Sequence, residues 1–120
     1  MNMNGSPIES TLASLRKSQL TPSQRRLVEL MQDINFGRIS DLPIKNGEPI
    51  FLAETVIERE IKLGGQNGPR PEQTQDDFDL KQEVIVMLDH FSEIESGCIA
   101  CLEIKHGLPF LMRTRARLSN

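Results

Sequence analysis

The feature that most constrains this chain is a pattern that occurs twice. Residues 34–50 and 94–110 share the sequence I-x-x-G-x-I-x-x-L-x-I-K-x-G-x-P in register and without a gap. The glycines and the proline stand where turns need them. Self-similarity at a fixed spacing is typical of a duplicated structural unit. The pattern therefore predicts an internal duplication.

The duplication predicts four segments in the 120 residues. We expect a flexible N-terminal tail at 1–19, a first helix–hairpin repeat at 20–63, a linker at 64–78 and a second repeat at 79–120. One unit of about 40 residues is near the size at which folding needs a partner. Residues 20–120 are therefore expected to share one core.

Each repeat begins with an amphipathic helix. Thr21 to Gln24 forms a capping box with Pro22 at the first helical position, and Asp79 is expected to begin the second helix in the same way. We expect Gly37 and Gly97 to end the two helices in a left-handed conformation. The apolar stripes are expected at Leu27, Val28, Leu30, Met31 and Ile34, and at Val84, Met87, Leu88, Phe91 and Ile94.

Each helix is followed by a β-hairpin. Asn46-Gly47 and His106-Gly107 stand at the two turns, where a type I′ turn requires positive φ at both central residues. Because His accepts positive φ less readily than Asn, the sequence predicts that His106→Asn stabilises the protein by a few tenths to about 1 kcal/mol.

These elements predict an α+β fold of two tandem helix–β-hairpin repeats. The hairpins are expected to form an antiparallel sheet, covered by the two helices and organised by a pseudo-two-fold axis. Ile39 is out of phase with Leu42 and Ile44, which indicates either a bulge in the first strand or a strand that starts near Asp41.

The composition argues against several classes of function. The net charge of -3 gives no general attraction to nucleic acid or anionic membranes. The absence of Trp and Tyr argues against base stacking. No apolar run reaches the roughly 18 residues of a membrane span, and the N-terminus lacks the order of a signal peptide. With only two cysteines, we expect a cytoplasmic protein with free thiols.

The helix, glycine, strand, x-Gly turn and return strand resemble the YezD-like small bacterial proteins. The resemblance covers about 40 residues of each repeat and implies no activity, no catalytic residue and no cofactor. Members of that family are usually single units, so the tandem pair corresponds to a fused version of a dimer. The matching positions are Gly37, Ile39, Ile44, Gly47 and Lys62-Leu63, then Gly97, Ile99, Ile104, Gly107 and Arg117-Leu118.

Two polar groups are candidates for chemistry. Cys98 and Cys101 have the C-x-x-C spacing of redox and zinc sites. They follow a helix rather than precede one, and residues three apart in a regular strand point to opposite faces, so buried inert thiols are the preferred interpretation. An intersubunit metal or redox role is the alternative. Strand alternation places Arg113, Arg115 and Arg117 on one face. There they could contact phosphates, pair with the acidic residues Glu58 and Glu60 of the strand around Arg59, or remain solvated.

The remaining titratable residues give no catalytic arrangement. His90 and His106 have no nucleophile or base at a recognisable spacing, and Asp76, Asp77 and Asp79 are explained by a linker end and a helix cap. We therefore expect no enzyme and no cofactor.

The second helix carries Ile85 and Val86 outside its main stripe, which marks a possible interface. We expect a small non-catalytic interaction module that binds itself or another protein. The alternative is a nucleic-acid-binding regulator that uses the arginines of the last strand.

Overall fold

The computed structural model describes residues 16–64 and 81–115. The α+β class is confirmed: two helices pack on an open antiparallel sheet of five strands. After a 3-10 turn at Lys17–Gln19, the elements are α1 Pro22–Ile34, β1 Gly37–Lys45, β2 Glu48–Pro49, β3 Val56–Arg59, α2 Gln82–Ser92, β4 Ser96–Lys105 and β5 Leu108–Arg115.

Helix α1 begins as the sequence predicts. The Thr21 hydroxyl accepts from the Gln24 backbone N–H at 3.2 Å, and the Gln24 side chain accepts from the Thr21 N–H at 3.0 Å. The hydroxyls of Thr21 and Ser23 both donate to the Glu48 carboxylate, which ties the start of the helix to β2. A carboxylate at this position also interacts favourably with the helix dipole.

The second helix begins differently from the prediction. Its N-cap is Lys81, which makes no side-chain capping bond. Asp79, the predicted cap, lies outside the described residues, as do Asp76 and Asp77. The predicted N-terminal tail is also mostly outside them, although Lys17 is buried against α1 and pairs with Glu29 at 2.8 Å.

The central pair of the sheet is β1 with β4. Gly37 pairs with Ile104, Ile39 with Leu102, Leu42 with Ile99 and Ile44 with Gly97. The glycine at the start of each strand therefore faces an isoleucine near the end of the other. On their outer sides β1 pairs with β2 and β3, and β4 pairs with β5.

One hydrophobic core joins both helices to one face of this sheet. Leu27, Met31, Phe91, Ile39 and Leu102 are fully buried in it. Ile39 and Leu42 are both buried although three residues apart, because Asp41 has φ of 58° and interrupts the alternation. The predicted irregularity in β1 is therefore at Asp41.

The two repeat glycines do not end the helices. The positive-φ residue that ends α1 is Asn35, with φ of 64°, and α2 ends at Ser92 with Glu93 as its C-cap. Gly37 is needed because a Cβ there would lie 2.0 Å from the Glu58 carbonyl oxygen. Glycine at this position allows β3 to pair closely with β1.

Both hairpin turns have the backbone that a type I′ turn requires. Asn46 and Gly47 have φ of 53° and 79°, and His106 and Gly107 have φ of 55° and 75°. The strand partners next to the turns are Lys45 with Glu48 and Lys105 with Leu108. Pro49 and Pro109 then stand opposite Ile44 and Ile104.

Each turn contacts the end of a helix from the other half of the chain. The Asn46 and Gly47 N–H groups donate to the carbonyls of Glu95 and Ile94, at 2.7 and 2.9 Å. The Gly107 N–H donates to the Asn35 carbonyl at 2.8 Å. The accepting carbonyls belong to residues that follow the helices, so each turn holds the segment that leads from a helix of the other half into its strand.

Within residues 16–64 and 81–115, neither helix is long and apolar enough to cross a bilayer. Helix α1 has 13 residues and α2 has 11.

The second turn generates a test. The His106 ring meets the Phe36 ring edge-on, with centroids 4.8 Å apart, a contact worth about 0.5–1.5 kcal/mol. His106→Asn relieves positive-φ strain but loses this contact. We therefore expect the substitution to leave the free energy of unfolding unchanged or to lower it, instead of the gain that the sequence predicts. In a Phe36→Leu background, the same substitution should be stabilising.

Urea unfolding of the four proteins in this double-mutant cycle measures the coupling, which should be about 0.5–1.5 kcal/mol. An equal effect of His106→Asn in both backgrounds would show that the ring contact contributes nothing.

Candidate interaction surface

A cleft of about 420 Å³ lies between α2 and β5. On the helix side Glu83, Val86 and His90 line it, at spacings of three and four that bring them to one helix face. On the strand side it is bordered by Phe110 and Leu111, with exposed fractions of 54% and 42%. Large apolar side chains held open beside a groove are typical of a protein-binding surface.

The strand that borders this cleft is an edge of the sheet. β5 runs for eight residues and pairs with β4 on one side. In the part of the chain that the structure describes, no strand pairs with its other side. An edge strand presents unpaired N–H and C=O groups, which can accept another strand.

The opposite edge of the sheet is divided. The chain leaves β1 after Pro49 and returns at Val56, so β2 and β3 are separate short strands. Glu58 pairs with Arg38 twenty positions before it, whereas Arg115 pairs with Cys98 seventeen positions before it. Three more residues therefore separate the paired positions of β1 and β3 than separate those of β4 and β5. An edge divided into two short strands is protected against strand addition, whereas β5 is one strand of eight residues.

The sheet face opposite the core carries the sequence-predicted arginines. Arg113 lies 3.3 Å from Glu103, and Arg115 lies 3.3 Å from Asp41. The suggested partners near Arg59 were wrong, because β3 lies at the far edge of the sheet from β5. Arg117 lies outside the described residues. Both ion pairs are largely exposed, so each contributes little to stability.

The β3 charges have partners of their own. Glu58 lies 3.1 Å from Arg38, and Arg59 lies 2.6 Å from Asp33. A second concavity, of about 500 Å³, lies beside these residues. Three basic and three acidic side chains line it, so they supply no net charge for an ionic ligand: Arg38, Arg59, Lys105, Glu58, Glu60 and Glu103.

Cys98 and Cys101 lie on one face of the sheet, not on two. The pairing of β4 with β5 shifts between Ile99 and Cys101, so Ile99 and Leu102 both point into the core. The two cysteines precede these residues and therefore share the opposite face. They are half-buried and are not joined by a disulfide. Within the described ranges, no group of three or more His, Cys, Asp or Glu residues is placed to hold a metal ion.

The two interface candidates on α2 separate in the structure. Ile85 is buried in the core, with 4% of its surface exposed, whereas Val86 is 44% exposed and lines the cleft. The prediction for Ile85 was wrong, because the core-facing side of α2 is wide enough to include it beside Val84 and Leu88.

Sequence reasoning missed the importance of Phe110, Leu111 and Glu83. The sequence contains a signal for the difference between the two edges. No Gly and no acidic residue occurs from Leu108 to Leu118. In the first occurrence of the pattern, by contrast, Ala53 and Glu54 follow soon after Pro49. That difference predicts one continuous edge strand and one interrupted strand.

Comparison of this chain with family models, curated proteins and solved structures finds no match.

Proposed function

We propose that this protein is a non-catalytic interaction module that binds a polypeptide along the outer edge of β5. The observation that carries the proposal is the contrast between the two edges of the sheet. β5 offers an edge of eight residues, while the separation of β2 from β3 interrupts the other edge. A polypeptide that adds a strand to a sheet edge gains main-chain hydrogen bonds.

The side chains that line the cleft support the same proposal. In strand addition, affinity comes from the backbone and specificity from pockets for alternate side chains. The cleft beside β5 supplies such a pocket, with Val86 and Phe110 as its exposed apolar contacts. Aromatic anchors of this kind contribute a large share of binding energy at interfaces.

The non-catalytic part of the proposal rests on the sequence. It contains no recognisable nucleophile with a base and no phosphate-binding loop. This part stays a prediction.

Selection of peptides from a random displayed library tests the proposal. The protein is tethered singly to a surface, so that copies cannot meet. We expect extended apolar peptides whose binding is lost in Leu111→Lys, because a charged residue, lysine above all, opposes strand addition at a sheet edge. The matched control is Ile57→Lys on β3, since both residues are 42% exposed. Peptides that bind Leu111→Lys as well as the native protein would contradict the proposal.

We also propose that the chain is a tandem duplication with a pseudo-two-fold axis between β1 and β4. Three observations support this: the repeated sequence, the matching positive φ of Asn46 and His106, and the reciprocal pairing of Gly37 with Ile104 and of Gly97 with Ile44. The resemblance to YezD-like proteins and a cytoplasmic location stay predictions.

Nucleic-acid binding by the last strand is the alternative. The carboxylates beside Arg113 and Arg115 compete with phosphates for both guanidinium groups. The alternative predicts salt-sensitive binding that is lost when Arg113, Arg115 and Arg117 are changed to Ala. We expect labelled single- and double-stranded DNA and RNA to show no change in anisotropy at low salt. Binding that these three substitutions abolish would favour the alternative instead.

A further inference from the structure

The exposed face of α2 complements itself when two copies meet antiparallel. Glu83, Val86 and His90 line the cleft on one side of this helix. If two such helices are antiparallel and centred between Val86 and Met87, each Glu83 lies opposite His90 of the other copy. An imidazole N–H can donate to a carboxylate. The same residues of the two copies therefore face each other across the two-fold axis, as an isologous interface requires.

The edge strand allows the same arrangement. A two-fold axis beside Met112, normal to the sheet, makes β5 pair antiparallel with its own copy. Leu111 then lies opposite the partner's Arg113, and Pro109 lies opposite the partner's Arg115, so no arginine faces an arginine. Paired strands are about 4.8 Å apart, and packed helices are 8–10 Å apart. Because α2 contacts β5, one two-fold axis brings both elements against their copies.

We propose that the polypeptide that binds β5 is a second copy of this chain, joined through antiparallel β5–β5 and α2–α2 contacts into one continuous ten-stranded sheet. This inference rests on the proposed function and specifies its partner. Hydrogen-bond complementarity between Glu83 and His90, on either side of the exposed Val86, selects the second copy from other extended polypeptides.

Sedimentation equilibrium of the full chain tests the inference, with circular dichroism to verify folding. We expect a concentration-dependent dimer. Glu83→Lys should weaken dimerisation by about tenfold, because two contacts per dimer become repulsive or are lost. His90→Glu should also weaken it, and the double variant Glu83→Lys/His90→Glu should restore it, because a Lys–Glu pair then replaces each lost contact. The matched control is Asp89→Lys, which makes the same charge change at an exposed position of α2 that does not line the cleft.

Three results would overturn the inference. The native chain could stay monomeric at millimolar concentration, the double variant could dimerise no more strongly than the single variants, or the Asp89→Lys control could weaken dimerisation as much as Glu83→Lys does. A monomeric chain that still selects peptides dependent on Leu111 would overturn only the second copy as partner. A monomeric chain that selects no such peptide would overturn the proposed function as well.

Discussion

The fold depends on the contact between each hairpin turn and the helix end of the other half. N–H groups of each turn donate to carbonyls of the residues that follow the helix of the other half. Gly47 donates to Ile94, and Gly107 donates to Asn35. The first turn fits closely, since a Cβ on Gly47 would lie 3.3 Å from the Ser92 Cα. Gly47 thus permits both the positive φ and the approach to α2.

This contact adds to the strand pairing and the shared core that join the two halves into one body. β1 and β4 pair along their length at the centre of the sheet, and each half contributes buried residues to the same core. A half of this size buries too little apolar surface to be stable alone. The two halves differ at the outer strands, because β2 and β3 are separate whereas β5 is one continuous strand. The proposed binding edge is therefore a consequence of the difference between the halves.

Local signals in the sequence predicted local structure well. The capping box of α1, the positive φ at Asn46 and the irregularity near Ile39 follow from preferences of a few adjacent residues. Features set by distant residues were missed. Gly37 is required by the approach of Glu58, the partners of Arg113 and Arg115 depend on strand order, and Ile85 is buried because the whole domain defines the core. The cleft could not be predicted because it joins α2 to β5 through tertiary packing.

Amide hydrogen exchange tests the interlocking of the halves most directly. If the turns open only when the domain unfolds, the Gly47 and Gly107 amides should be protected to within about tenfold of the Leu42 and Leu102 amides in the core strands. The Thr55 amide, which bonds to Leu52 in a turn between β2 and β3, should exchange much faster. Gly47 and Gly107 amides that exchange as fast as Thr55 would show that the turns open on their own, and would contradict the account.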